Sequence, residues 1–197
     1  DGKIFAYKSI AGLFNLSGSD VAPEGADNRF LHIESLGNLG EMDVSNVTNM
    51  YRLFKRGVNI TDVSTLAQWD VSHVENMSEL FRDCTSLSNL SGIKAWNVSR
   101  VRDMSSLFSG TNITSTDAVS NWKTDSLVCA NGLLSSCKHL TSLEGLTNWN
   151  TSKVTSISAA FAGCESLKSL KGLEKWDTSS VQFTRGLFAD NAQLTDR

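Results

Sequence analysis

Four cysteines, three histidines and a recurrent Asp or Asn are the residues of this 197-residue chain best equipped for chemistry. Cys84, Cys137 and Cys164 hold one place in a phrase that returns about every 27 residues, and Cys129 lies off that place. None has C-x-x-C or zinc-finger spacing. A Cys137–Cys164 disulfide would need Cα atoms roughly 4.4–6.8 Å apart, closer than adjacent helices lie. The spacing therefore predicts buried free thiols, with Cys129 the most exposed of the four. His32, His73 and His139 sit in unrelated contexts. They build no Ser-His-Asp set and no His/Cys/carboxylate cluster, so no catalytic residue, cofactor or metal ligand is assigned. Asp43, Asp70, Asn97, Asn150 and Asp177 share one place in the phrase. As a calcium ladder they would supply one ligand per unit with no second acidic position, so turn and cap hydrogen bonding fits them better. Triplets such as Asn76-Met77-Ser78 and Asn112-Ile113-Thr114 follow from the repeat grammar rather than from glycosylation.

The elements that position these residues are set by the repeat. Trp falls at 69, 96, 122, 149 and 176, with spacings of 27, 26, 27 and 27, and one step back lands on Met42. With Trp as zero, position +5 holds Val47, Val74, Val101, Leu127, Val154 and Val181. Position +8 holds Met50, Met77, Met104, Ala130, Ile157 and Thr184; Leu53, Leu80 and Leu107 stand at +11, and Phe54, Phe81 and Phe108 at +12. Offsets 5, 8, 11 and 12 lie on one face of an α-helix. Ser45, Ser72, Ser99, Asp125, Ser152 and Ser179 at +3 are suitable N-caps. The second half of each unit carries leucines three apart, as in Leu140, Leu143 and Leu146, with Gly92, Gly145 and Gly172 at an expected tight bend. An extended strand with turns fits that half. The expected fold class is therefore α/β: a leucine-rich-repeat-like, right-handed solenoid of 26–27 residues per turn, with one short helix and one short strand per repeat. Strands about 4.8 Å apart and helices about 10 Å apart would curve it, strands inside.

Residues 1–41 read as a degenerate N-terminal repeat or cap, in which Ile10, Leu13, Phe14 and Ile33 keep traces of the pattern around an insertion. Residues 42–197 read as tandem repeats of one domain, the last incomplete. The chain opens at Asp1 without a start Met or signal peptide, as a mature or excised segment would, and its stop mid-unit at Arg197 fits either a truncation or an end covered by something else. A formal net charge of −3 with no basic block gives no footprint for nucleic acid or an anionic membrane. No apolar stretch is long enough to insert into a bilayer.

The phrase W-[DN]-[VT]-S-x-V-x-x-M-x-x-L-F-x-x-C-x-x-L-x-x-L resembles the 26-residue repeat of bacterial surface proteins grouped as BspA-type leucine-rich repeat proteins, over roughly Leu36 to Leu194. It departs at "WKTDSLVCANGLL" and at Met42, where Trp is absent. The resemblance implies a protein at the surface of a bacterium or outside it, often lipid- or wall-anchored, acting in adhesion or host contact, with no catalytic residues to carry over.

The Trp row could stack sugars, but five tryptophans in one register make a core ladder first, since an exposed row would be a sticky patch. Outward positions beside the second leucine of each unit would form a concave strand face: Asp62, Ser64, Asn89, Ser91, Ser142, Glu144, Ser169 and Lys171. That strip is the candidate partner-binding surface, although it lacks the Trp, Tyr and Arg typical of hot spots. Val128 and Phe183 are apolar at outward helix positions, suited to a neighbouring chain or domain, as is the open C-terminal end. The function expected is a non-catalytic extracellular module that binds a protein or glycan. The rival is a stalk that holds another domain away from the cell, and an enzyme comes third.

Overall fold

The computed structural model describes residues 36–195. The N-terminal insertion, the Ile10, Leu13, Phe14 and Ile33 traces and His32 lie outside the described residues. Between Leu36 and Thr195 the chain winds in coils that lie on one another in parallel register. Asn49, Asn76, Asp103, Cys129, Ser156 and Phe183, all at +7, bridge one to the next. A second set joins Asp62 to Asn89 and Ser115 to Ser142. Trp69, Trp96, Trp122 and Trp149 stack face to face at 6.1–6.5 Å between ring centroids. Phe54, Phe81 and Phe108 stack beside them at 5.6 and 6.0 Å.

This overturns the expected fold class. Among the described residues there is no α-helix and no β-strand, only isolated bridges and five 3-10 helices: Gly37–Glu41, Ser64–Gln68, Ser91–Ile93, Asp117–Val119 and Glu144–Leu146. The molecule is therefore not an α/β leucine-rich-repeat solenoid with a helix and a strand in each unit. The 3-10 helices also fall in the half expected to be extended, and the half expected to be helical is a chain of turns. Spacing explains why. Successive rings of the core lie 5.6–6.5 Å apart, and α-helices about 10 Å wide cannot be stacked at that interval. With no helices on one side, the expected helix–strand mismatch that would curve the array is absent too.

The backbone accounting shows what replaces the helix. At +8, +10, +12 and +14 the N–H groups bond to the following coil: Met50 to Asn76 O, Arg52 to Ser78 O, Phe54 to Leu80 O and Arg56 to Arg82 O. The alternate N–H groups bond three residues back within their own coil, as Leu53 does to Met50 O, Lys55 to Arg52 O and Gly57 to Phe54 O. Nearly every donor of this stretch is thereby satisfied without a helix. Positions +10 and +14 take φ between 54° and 72° in every coil, whether the residue is Arg52, Glu79 and Ala159 or Gly132 and Gly186. A left-handed residue at the third place of a turn suits the type II geometry, and two of them break any helix.

The inward residues follow a step of three. In the coil from Trp69 they are Val71, Val74, Met77 and Leu80, then Phe81, Cys84, Leu87, Leu90 and Ile93, all buried. A helix face and a leucine row are thus two parts of a single rhythm. Each indole N–H is satisfied in the coil before: Trp96 Nε1 donates to Leu66 O at 3.1 Å, Trp122 to Ile93 O at 3.0 Å and Trp149 to Val119 O at 3.1 Å. Leu66 O also accepts the backbone N–H of Trp69, so both of its lone pairs are engaged.

Gly92, Gly145 and Gly172 serve close approach more than bending. A Cβ on Gly92 would sit 1.9 Å from Val63 O, and one on Gly145 2.0 Å from Thr116 O. Only Gly172 of the three has positive φ, 109°. The backbone of one coil rests here against the carbonyl of the previous one.

Candidate functional site

The predicted strip does form a column, on turns rather than on strands. Each unit sets an Asp, Asn or Ser two residues ahead of an outward position, and its oxygen takes the N–H of that position, closing a side-chain turn. Asp62 Oδ1 accepts Ser64 N at 2.9 Å, Asn89 Oδ1 accepts Ser91 N at 3.0 Å, Ser142 Oγ accepts Glu144 N at 3.2 Å and Ser169 Oγ accepts Lys171 N at 3.1 Å. The hydrogen bonds from the Ser64 hydroxyl and backbone N–H hold the Asp62 carboxyl below its ordinary range. Ser64, Ser91, Glu144 and Lys171 are exposed. Lys171 Nζ lies 2.8 Å from Glu144 Oε1, and that hydrogen bond and charge raise the lysine pKa. The column also runs through Ser115 and Asp117, where the Ser115 hydroxyl donates to Asp117 Oδ2 at 3.0 Å. Sequence reasoning missed this pair because the unit is one residue short there; moving the register by one recovers it.

The Asp/Asn row at +1 closes turns in the same way: Asp70 Oδ1 accepts Ser72 N at 3.0 Å, Asn97 Oδ1 accepts Ser99 N at 3.2 Å and Asp177 Oδ1 accepts Ser179 N at 2.9 Å. Ser72, Ser99 and Ser179 therefore complete Asx turns and cap no helix. Among the described residues no three His, Cys, Asp or Glu side chains are grouped as a metal site.

Cys84, Cys137 and Cys164 are buried free thiols. Each S–H donates to the +12 carbonyl of the preceding coil: Cys84 to Phe54 O at 3.1 Å, Cys137 to Phe108 O at 3.1 Å and Cys164 to Leu134 O at 3.2 Å. Burial pushes Cys84 and Cys164 up to about 12 and Cys137 to about 11. Cys129 is half-buried in the bridge row, with Asn131 Nδ2 3.2 Å from its sulfur. Of the tryptophans, Trp69, Trp96, Trp122 and Trp149 are at most 5 % exposed, which removes them as sugar platforms. His73 and His139 are exposed and apart. Val128 is half-buried, whereas Phe183 is 60 % exposed.

Two features went unread in the sequence. The first is a charge cluster on the early coils. Glu79 Oε2 meets Lys55 Nζ at 2.9 Å, Arg52 Nε at 3.1 Å and Arg82 Nη1 at 3.3 Å. Burial would raise the Glu79 carboxyl, and the hydrogen bonds and charges of Lys55 and Arg52 outweigh it and hold the pKa low. Only the register, which sets Arg52 beside Glu79 across 27 residues, could have revealed it. The second is the end of the stack near Thr195. There Phe188, Asp190, Asn191, Gln193, Leu194 and Glu165 surround an open hollow of about 750 Å³. No helix of the described residues is long and apolar enough to cross a membrane.

A family model described as "Mycoplasma protein of unknown function, DUF285" matches residues 26–143 and 131–197. No curated protein matches, and no solved structure does.

Proposed function

Since the chain belongs to the DUF285 family, a family described from Mycoplasma, we propose that it is a non-catalytic repeat module of a bacterial surface, kin to the BspA-type surface proteins, and that it binds a protein or glycan partner through the sides of its stack. What carries the reading is the column of turns at Asp62, Asn89, Ser115 and Ser142: turns locked by their own side chains hold Ser64, Ser91, Asp117 and Glu144 outward at regular intervals on a fixed backbone. A preorganised surface of this kind loses little entropy on binding. The spacer reading also has an observation in its favour, because the oxygens of Asp62, Asn89 and Ser142 are already engaged by their own turns.

The test is a screen of the immobilised chain against glycans and host surface proteins, followed by Ser64→Arg and Ser91→Arg. Binding that falls at least roughly tenfold in the variants, with unchanged unfolding midpoints, supports the side surface as the contact. A chain that captures nothing from either collection, or binds equally well with both arginines in place, overturns it.

A further inference from the structure

The chain carries a formal net charge of −3, yet one side of its middle coils is cationic. Positions +1 to +6 of the coils that start at Trp96, Trp122 and Trp149 hold Arg100, Arg102, Lys123 and Lys153 against a single acid, Asp125, and all five are exposed. Over the same positions the flanking coils are acidic, with exposed Asp70 and Glu75 on one side and Asp177 on the other. The excess is therefore local. It spans two steps of the stack, Trp96 to Trp122 at 6.5 Å and Trp122 to Trp149 at 6.1 Å.

Backbone register assembles the patch from three separate segments. Val128 N–H donates to Arg102 O and Thr155 N–H to Val128 O, so Arg102, Val128 and Thr155 form one row, with Arg100, Ser126 and Lys153 two residues earlier. Lys153 Nζ reaches across to Asp125 O at 2.8 Å, and Asp125 Oδ1 accepts Asn150 Nδ2 at 3.0 Å. The side chains of Arg100, Arg102 and Lys123 make no hydrogen bond or ion pair among the described residues. Other cations of the chain do face acids: Lys138 pairs with Glu165, Lys171 with Glu144, and three cations share Glu79. Like charges gathered on neighbouring coils repel and add nothing to the fold, and an anion laid across them relieves that repulsion.

We infer that the face bearing Arg100, Arg102, Lys123 and Lys153 is a site for a short anionic stretch of glycan. Sulfate or carboxylate groups suit the planar forks of the two arginines. Between the cations stand the amides and hydroxyls of Asn97, Asn150, Ser126 and Thr155, able to exchange hydrogen bonds with sugar hydroxyls. Half-buried Val128 is the one apolar side chain that reaches the surface at these positions, too little to seat the anchors of an acidic peptide. A nucleic-acid strand or a membrane plane would run on past the patch onto Asp70, Glu75 and Asp177. The inference rests on the reading of the chain as a binding module and names a ligand class for it, on rows other than the column at Asp62 to Ser142.

Two labelled probes, a chondroitin sulfate tetrasaccharide and a sialic acid tetramer, separate sulfate from carboxylate recognition; neutral chitotetraose is the uncharged counterpart. Titrated into the full chain and followed by fluorescence anisotropy, at least one anionic probe is expected to bind saturably and to weaken between about 50 and 200 mM salt as the ions are screened. The test substitutions borrow residues that other coils carry at the same places: Arg100→Ser as at Ser126, Arg102→Thr as at Thr155 and Lys123→Asn as at Asn150. Together they are expected to weaken binding roughly tenfold or more with an unchanged unfolding midpoint. Lys168→Thr removes one exposed charge from the +19 row, where Thr141 stands in the coil before, and is expected to leave binding unchanged. Binding of neither anionic probe, equal binding of chitotetraose or of the triple variant, or equal losses from Lys123→Asn and Lys168→Thr overturns the inference. Tighter binding of polyglutamate, a single-stranded oligonucleotide or phosphatidylserine vesicles overturns it too, by giving the patch to another class of partner. Glycan or protein binding that survives the triple variant and falls in Ser64→Arg and Ser91→Arg overturns this inference alone and keeps the column, whereas a chain that binds no glycan and no protein sinks both.

Discussion

Gly92→Ala separates two accounts of the glycines ahead of Trp96, Trp149 and Trp176. If Gly92 were present for backbone freedom, its φ would lie in the left-handed region; among the glycines of this row only Gly172 does so. An alanine at Gly92 would then be compatible with the fold and would stabilise it by about 0.4–1 kcal/mol through the unfolded chain. The packing says the opposite. The new Cβ would stand 1.9 Å from Val63 O, 2.6 Å from Val63 C and 2.7 Å from Ser64 Cα. All three are backbone atoms and cannot swing aside as a side chain would. Relief requires separating two coils locally, which strains the Trp96 indole bond to Leu66 O. Overpacking of this kind costs about 1–3 kcal/mol, or more where backbone must move. At roughly 2–4 °C per kcal/mol for a chain of this size, the melting temperature falls by about 2–12 °C. Urea unfolding followed by tryptophan fluorescence reads the change, with Ser91→Ala at a neighbouring exposed position as the reference. A midpoint for Gly92→Ala equal to or above wild type would refute the close-approach account. Ala118 occupies the corresponding place in the 3-10 helix Asp117–Val119 of the 26-residue unit, so Ala118→Gly is expected to lack the large stabilising effect that relief of a clash would give.

Leu107→Asp buries a carboxylate at a fully buried position and is expected to cost about 3–5 kcal/mol, whereas Ser91→Asp at an exposed site stays within about 0.5 kcal/mol; equal unfolding midpoints would count against the inward rhythm. Glu79→Gln removes the carboxylate charge that meets Lys55, Arg52 and Arg82 and is expected to destabilise by about 1–3 kcal/mol at neutral pH. Because the folded Glu79 carboxyl titrates below its unfolded value, its contribution is present above the unfolded pKa and disappears as pH falls through the folded one. The difference between wild type and Glu79→Gln in denaturant midpoints should therefore shrink on acidification below the ordinary glutamate range, and a constant difference down to the lowest pH would contradict the assignment. Native thiol titration with a disulfide reagent at pH 8 should modify Cys129 first and leave Cys84, Cys137 and Cys164 unmodified until the chain unfolds, as burial and thiol pKa values of about 11–12 require; rapid modification of all four would refute the ladder.

The Trp spacing made the repeat and the stack of tryptophans legible, because identical residues at one register bury together whatever backbone carries them. The backbone itself was not legible from hydrophobic offsets. Val74, Met77, Leu80 and Phe81 satisfy a helix face and also a step of three with one step of a single residue, and polarity alone does not separate them. The discriminating signal was Gly132 and Gly186 at +10 with Gly110 and Gly163 at +14. Glycine at those places of a supposed helix marks a left-handed residue. It was masked because Glu79, Asp83, Ser106 and Ala159 take the same φ elsewhere, held there by bonds to neighbouring coils. The turn role of Asp70 and Asn97 could be read from chemistry, since a short side chain reaches the N–H two residues on in almost any context. The Glu79 cluster could not, because it depends on which side chains of adjacent coils come into register.

The small rise of the stack has a mechanical consequence. A unit advances the axis by an interval close to the 5.6–6.5 Å between successive stacked rings, yet its 27 residues hold about 90 Å of contour when drawn taut. Pulled along its axis, such a chain would pay out slack one turn at a time. Each release would lengthen the tether by more than ten times the height lost, and the remaining turns would stay wound.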